Sequence, residues 1–430
     1  MPLSRRRLLA AGATLAAAPF LARGQSSLLP AAGGHRAVIV GGGWAGLSAA
    51  RRLRELAPEL EVVLLERNAV FRSAPLGNKW LAGRVDERLL THDYATAAKA
   101  YGYTFIRAEV TSIDREMRRL ATPIGVLDYD WLVLAVGVRY DYTPWFGDDR
   151  GAADLARSRY PAAFVAGDEI LALKAKVESF AGGNFLMTIP PQPYRCPPAP
   201  YERACMIASR FRERGIKARL IVVDAGPGVL GFHRIFAEHY KDWITYLPQS
   251  RLARVDPEAR RVATDFDDIA FDDAILMPPQ QAGDLVWQAG LIGIDADGKP
   301  TGWADQHPVH LHARGDERVF LVGDLMGQVS PLFGHYTKTG QAAARLGRIA
   351  AEEIVARFRG REPERQVPDS VCFVTPRLDP PELIRVETEY RLRGGETIAQ
   401  SGRQVHDRQP RGEDVQWAKG MFAEMLAWRE

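Results

Sequence analysis

Cys196 stands in Pro190-Pro191-Gln192-Pro193-Tyr194-Arg195-Cys196-Pro197-Pro198, directly after a strand-like run from Gly183 to Ile189. Prolines on both sides stiffen this loop, and its position after a strand puts it at the face where doubly wound sheets hold ligands. A thiol fixed there could exchange with a disulfide, carry a persulfide or pass electrons to a neighbouring group. A structural cysteine is the alternative. Cys205, beside Ala204, Met206 and Ile207 on a helix, reads as core. Cys372, in Ser370-Val371-Cys372-Phe373-Val374, reads by itself as an inward position on a tail strand. His307-Pro308-Val309-His310-Leu311-His312 offers His-x-His spacing, with His310 and His312 expected on one face of a strand. A metal needs three or four convergent ligands, and no carboxylate or cysteine stands at a standard spacing, so none is expected.

Elements that could position this chemistry begin at Arg36-Ala37-Val38-Ile39-Val40. That β-branched run enters a glycine turn and then a helix, Ser48 to Leu56. A second strand, Glu61 to Leu65, ends in Glu66. Gly41-x-Gly43-x-x-Gly46, with an acid at the end of the next strand, is the dinucleotide fingerprint. Glycines allow a tight turn and close approach of a pyrophosphate to the helix N-terminus, where backbone N–H groups favour anions. Glu66 is placed to accept ribose hydroxyls, and Arg67 and Val110 are counted with it on the adenosine side. Two later segments specify the dinucleotide. Tyr129 to Gly137 is a buried strand ending in a small-residue turn that includes Ala135 and Gly137. Arg318 to Asp324 is a strand ending in Gly323-Asp324. In this order they resemble the signature segments of the two-dinucleotide-domain flavoproteins. That resemblance implies FAD, with Asp324 on its ribityl chain. Gly334 to Gly340, which includes Tyr336 and Thr337, precedes a helix from Gln341 to Ala356 whose N-terminus could stabilise charge on reduced flavin. Lys79 and His335 are candidate proton donors near the flavin.

Between these segments lies a second α/β unit: strand Gly183–Ile189, helix Pro200–Arg214, strand Ala218–Val223, helix Ile235–Trp243 and strand Phe271–Met277. A nicotinamide cofactor would need a glycine-rich turn after the first of these strands. The proline-rich loop around Cys196 replaces it, and proline offers a phosphate no N–H. The Gly226-Pro227-Gly228-Val229-Leu230-Gly231 match follows the second strand and reads as a turn. The expected fold is therefore α/β with two Rossmann-like units and a small α+β C-terminal domain. The FAD-binding domain is assigned to 34–150 and 296–360, the second unit to 151–295 and the C-terminal domain to 366–430.

The chain has 430 residues, with 56 Lys and Arg against 53 Asp and Glu, a formal charge of +3. Much of that excess sits in residues 1–24, where Ser4-Arg5-Arg6-Arg7 precedes an apolar run from Ala10 to Leu21. This pattern is a twin-arginine export signal rather than a membrane span. Removing its four arginines leaves 52 basic and 53 acidic side chains, a charge of −1. No nucleic-acid footprint remains, and a periplasmic location is expected. Three cysteines are too few for a disulfide scaffold.

The stretch Pro193-Tyr194-Arg195-Cys196-Pro197-Pro198-Ala199-Pro200-Tyr201-Glu202-Arg203-Ala204 resembles the active-site loop of the flavoprotein subunit of flavocytochrome c sulfide dehydrogenase. Phe271 to Gly283 and Ala289-Gly290-Leu291 look like a second block of that family. The resemblance implies a periplasmic FAD enzyme that oxidises sulfide and passes electrons to a c-type cytochrome, either a subunit or a soluble cytochrome c. It also implies that Cys196 forms a redox-active disulfide with Cys372. In that scheme sulfide attacks the disulfide and the released thiolate reduces FAD. Members with covalent FAD carry a cysteine where Ala74 stands here, so a non-covalent flavin is expected. A flavoprotein for another donor, or a flavin-bearing accessory protein without turnover, are the alternatives.

Overall fold

The structure, a computed structural model, describes residues 26–429; the expected export signal, residues 1–24, lies outside the described residues. Hydrophobic strands buried on both faces build its first layer, as parallel sheets require. β1 (Arg36–Val40), β2 (Glu61–Glu66), β3 (Thr104–Arg107) and β4 (Trp131–Leu134) are joined by β5 (His312–Ala313) and β6 (Asp316–Leu321) in a six-stranded sheet ordered β5-β6-β4-β1-β2-β3. All neighbours are parallel except β5 and β6. Val38 pairs with Val63 on one side and Leu132 on the other. Carboxyl ends of these strands thus converge on the turns carrying Gly41, Glu66, Ala135 and Gly323. Helix α1 (Trp44–Leu56) begins four residues before the expected Ser48 and lays Leu47, Ala49, Ala50 and Leu53 on the sheet.

The second unit is a four-stranded parallel sheet. Its strands β7 (Gly183–Ile189), β8 (Ala218–Asp224), β9 (Ile244–Leu247) and β10 (Asp273–Ile275) lie in the order β9-β8-β7-β10. Helix α2 (Ala199–Glu213) follows the cysteine loop and buries ten of its residues, Cys205 among them. The next helix spans Phe232–His239, starting earlier than the expected Ile235 because Gly231 takes the left-handed conformation just before it. Chain return to the first unit also comes earlier than residue 296. Gln280–Ala282 pairs antiparallel with Val138–Tyr140, and Ala282, Val286, Ala289 and Leu291 pack in the first core.

Three tail strands, β11 (Asp369–Leu378), β12 (Pro381–Arg393) and β13 (Thr397–Asp407), form an antiparallel meander. Helix α3 (Glu413–Leu426) closes the chain against α1. Its Phe422 stacks on Trp44 of the fingerprint, with ring centroids 5.9 Å apart. The meander feeds both cores: Tyr390 and Ile398 join the first, Val374 and Ile384 the second. Among the described residues, no helix is long and apolar enough to cross a membrane.

Candidate functional site

A cavity of about 1030 Å³ runs along the carboxyl ends of the first sheet. Gly41, Gly43, Glu66, Arg67, Val110, Ala135, Gly137, Gly323 and Asp324 all line it. The three fingerprint glycines have different reasons to be glycine. Gly41 has φ +105°, and a Cβ there would lie 2.5 Å from the Ala135 carbonyl oxygen. A Cβ on Gly46 would come within 1.9 Å of the Gly41 carbonyl oxygen, so Gly46 serves helix–strand packing and does not line the cavity. A Cβ on Gly43 would meet no protein atom within 4 Å; it would project into the open cradle that a pyrophosphate needs. No side chain caps α1 and no acid sits in its first turn, which leaves this helix end to an anion. Glu66 is held in place by the Gly42 amide (2.7 Å) and by Asn68, whose backbone amide donates at 2.8 Å. Its Oε2 keeps an acceptor position for a ribose hydroxyl. These residues fit the adenosine, pyrophosphate and ribityl parts of FAD.

Tyr336 and Thr337 do not line this cavity. The Tyr336 hydroxyl donates to the Pro308 carbonyl (3.0 Å), and the Thr337 amide donates to the Tyr390 hydroxyl (2.7 Å). Gly340 and Ala343 take the helix end nearest the cavity instead. Lys79 and His335 are also outside it. Lys79 forms an ion pair with Asp414 of α3, and the His335 ring packs edge-on against Trp303. Burial, with Lys338 adding to it, lowers the His335 pKa to about 4. The unfolded chain binds a proton near 6.5 that the fold refuses, so His335 costs stability as pH falls from 6.5 toward 4. After screening by water the cost is up to about 2 kcal/mol. Thermal midpoints of wild type and His335→Gln should therefore diverge below pH 6.5, in favour of the variant.

Neither Cys196 nor Cys372 lines the cavity; Arg195, the neighbour of Cys196, does, and Cys196 stands behind it in an unusual backbone state. Its φ is +52°, in the left-handed region that residues other than glycine seldom occupy, a conformation it shares here with eight other non-glycine residues, Ala163 and Leu230 among them. Its amide donates to the Lys338 carbonyl at 2.7 Å, and its own carbonyl accepts from Ala199 at 2.9 Å. The Lys338 ammonium donates in turn to the Asp324 carbonyl (2.7 Å) and the Met326 carbonyl (2.9 Å). Arg195 Nε lies 3.4 Å from Asp324 Oδ2, which completes a ring of contacts from the cysteine loop to the Gly-Asp turn. Burial lowers the Lys338 amine to about 7 and raises the Asp324 carboxyl; the two oppose each other's shift.

Cys372 is brought to the same place by β11, where it pairs with Val386. Cys196, Cys205 and Cys372 are free thiols in this structure. Burial pushes the Cys196 thiol up to about 12, with Glu202 adding and Arg195 opposing. The Cys372 thiol is raised by burial and then by Cys196 and Glu202. Both sulfurs therefore stay protonated unless a base takes the proton. Glu202, in the first turn of α2 six residues after Cys196, is the group both thiols feel. Its carboxylate accepts from Asn78 Nδ2 and from the Thr375 amide of β11, each at 2.7 Å. Burial raises its pKa against those two hydrogen bonds. Asn78 also accepts from Arg203 Nε (3.0 Å), whose guanidinium lies 4.1 Å over the Phe164 ring. The sequence reading does not single out Glu202; its one sign is an acid at the start of the helix that leaves the cysteine loop.

The second unit has no comparable cradle where a nicotinamide cofactor would sit. Asp224, at the end of β8, occupies the place of a ribose-binding acid but is 1% exposed. It accepts from the Tyr201 hydroxyl (2.6 Å), the Tyr246 hydroxyl (2.7 Å) and the Gly226 amide (2.8 Å). In the preceding loop, the Arg195 amide is taken by Gln280 and the Cys196 amide by Lys338. The Gly226–Gly231 segment is a turn. His310 lies in a turn rather than on a strand, because His307 Nδ1 accepts the Val309 and His310 amides and folds the chain back. His312 alone is in a strand. Among the described residues no group of His, Cys, Asp or Glu could hold a metal.

Comparison with known proteins agrees with this layout. Residues 35–160 match the pyridine nucleotide-disulphide oxidoreductase family, and residues 170–278 match the central part of the sulfide dehydrogenase (flavocytochrome c) flavoprotein chain. A type II NADH:quinone oxidoreductase of Staphylococcus haemolyticus is 24% identical over 347 residues, 74% of this chain and 81% of that protein. Among solved structures, the sulfide:quinone oxidoreductase from Aquifex aeolicus superposes with a TM-score of 0.72 at 17% identity, covering 92% of each chain. A NAD-dependent persulfide reductase from A. fulgidus gives 0.62 at 15% identity, over 91% of this chain and 77% of that one. The protein is an FAD-dependent oxidoreductase with two Rossmann-like units. Within that class it is related to the flavoprotein chain of flavocytochrome c sulfide dehydrogenase.

Proposed function

We propose that this protein oxidises sulfide, or a closely related reduced sulfur compound, at Cys196 and Cys372 and delivers the electrons through bound FAD to a c-type cytochrome. The observation that carries this reading is the meeting of two half-buried thiols and one half-buried carboxyl behind the Arg195–Asp324 wall of the FAD cavity, with Cys196 in a left-handed backbone. FAD supplies the conversion of a two-electron event into one-electron transfers, which no side chain can perform. The chain's own groups do the rest. In the working cycle the Cys196–Cys372 disulfide is opened by one hydrosulfide, a second hydrosulfide takes the outer sulfur away as hydrodisulfide to leave the dithiol, and the bound flavin would accept the two electrons that restore the disulfide. Hydrosulfide attacks one sulfur, the S–S bond breaks, and a persulfide and a thiolate result. Glu202 takes the proton of the incoming hydrogen sulfide. Arg195 and Lys338 hold the loop against the Gly323-Asp324 turn, which keeps the sulfurs behind the cavity wall. With alanine at position 74, nothing there bonds the flavin covalently, and acid precipitation should leave the yellow colour in the supernatant. The twin-arginine pattern of the first residues supports a periplasmic place of work, where c-type cytochromes reside.

The test is anaerobic mixing with sulfide, small thiols and NADH in parallel, followed by addition of cytochrome c or a soluble quinone. Sulfide should bleach the flavin band, and NADH should be at least about 100-fold slower because its ribose and phosphate sites are filled. Cytochrome c should restore the colour. Faster bleaching by NADH than by sulfide would overturn the donor, and recovery with quinone alone would overturn the acceptor.

A further inference from the structure

One of the two donors that hold Glu202 could have met it the other way round. The Thr375 amide can only donate, but the Asn78 side chain has a donor end and an acceptor end of nearly the same shape. Its Nδ2 donates to Glu202 Oε2 at 2.7 Å and to the Ala199 carbonyl at 3.1 Å. Its Oδ1 accepts from Arg203 Nε at 3.0 Å. Asn78 and Arg203 are both buried, at 7% and 4% exposed, so the protein rather than water sets the amide. A guanidinium has five N–H donors and no acceptor, so Arg203 can meet only the Oδ1 end, which leaves Nδ2 for Glu202. Arg203 is itself held. Nη1 donates to the Ala162 carbonyl, Nη2 donates to the Ala163 carbonyl at 3.1 Å, and the guanidinium lies over the Phe164 ring. The same segment continues as Val165 to Glu169, which line the cofactor cavity.

Donors facing a carboxyl favour its ionised form, and acceptors facing it favour the acid. With the amide reversed, Oδ1 would stand against Glu202 Oε2, and that contact is a hydrogen bond only if the carboxyl keeps a proton. The orientation of one amide thus selects between base and acid at position 202. The charged and titratable groups around Glu202 on other elements are Lys79 beside Asn78, Asp414 of α3, which pairs with Lys79, and the thiols Cys196 and Cys372; Cys205 and Arg203 share its helix.

We propose that Arg203 and Asn78 are positioning residues that hold Glu202 as the carboxylate able to take the proton of hydrogen sulfide. The proposal rests on the sulfide reading, and one of its two measurements needs no sulfide. Infrared difference titration of the holoprotein follows the carboxylic acid band that Glu202→Gln removes, and the acid limb of the pH profile of sulfide bleaching follows the same group at work. Asn78→Asp keeps the shape and sets a second carboxyl against Glu202; the two then share a proton, and both midpoints should rise by about one unit or more. Arg203→Met should raise them as well, and Arg203→Lys, also a donor only, should stay near wild type. In an Asn78→Leu background Arg203→Met should add nothing, because its effect passes through the amide, whereas a charge acting directly on Glu202 would add its full shift there. Where Arg203→Met does not fold, Arg203→Gln, which can offer Asn78 either end, takes its place in the cycle. Midpoints unmoved in Asn78→Asp, additive shifts in the double variant, or a wild-type acid band that persists above neutral pH would each overturn the proposal. If sulfide does not bleach the wild type, the donor has been misassigned, and the infrared midpoints still decide the role of the pair.

Discussion

Cys196→Ala protein is expected to purify yellow, melt near the wild-type temperature and lose bleaching by sulfide by at least about 1,000-fold. The cavity residues that fit FAD do not include the sulfur: they are those of the fingerprint, Glu66 and the Gly-Asp turn. The sulfur chemistry has no substitute, because the remaining thiols are Cys372, which cannot form the disulfide alone, and Cys205, enclosed in the second core. Losing the side chain also relaxes the left-handed backbone at this position only slightly, since alanine bears the same conformational cost as cysteine there. Cys205→Ala is the control with the opposite profile. It should cost about 1 kcal/mol of stability through lost core contacts and leave the bleaching rate unchanged. Wild-type bleaching in Cys196→Ala would remove the cysteine from the mechanism.

The second large effect separates two glycines three residues apart. Gly46→Ala drives a methyl into the Gly41 carbonyl, backbone against backbone, so α1 must shift off β1. Destabilisation of about 3 kcal/mol or more and loss of the yellow colour are expected together. Gly43→Val adds a side chain where no protein atom stands within 4 Å, at a φ of −74° that valine tolerates. That variant should fold, with circular dichroism like wild type, yet hold at least tenfold less FAD because the new side chain occupies the phosphate cradle. Flavin content and thermal midpoint, measured on the same preparations, distinguish the two. A fully loaded Gly43→Val protein would show that the pyrophosphate lies elsewhere.

These two residues also show which parts of the site can be read from the chain. The strand–turn–helix–strand–acid run is local: β1, the glycines, α1 and Glu66 fall within thirty-one residues, and periodicity with glycine placement dictates each step. The cysteine loop is legible for the same reason, its prolines and following helix being contiguous. Glu202 is not, because its role depends on Asn78 and on Thr375, a residue of the tail strand 173 positions later. Membership of the first unit suggests a place for Lys79 beside the flavin, whereas a charge on α3, at the far end of the chain, draws it to the opposite side. Proximity to a helix end suggests Tyr336 and Thr337, but their polar atoms are claimed by Pro308 and Tyr390. Hydrophobic pattern and turn chemistry fix local paths; partners distant in sequence fix what a polar side chain faces.

The Tyr201–Asp224–Tyr246 arrangement carries a consequence for redox traffic. Under the proposed function, a Rossmann unit whose acid is capped by two phenols would act as insulation, keeping the flavin's electrons from a dissolved pyridine-nucleotide pool. Opening that groove would require removing both phenols and the proline loop at once. Single substitutions there should therefore leave reduction by NADH as slow as in the wild type.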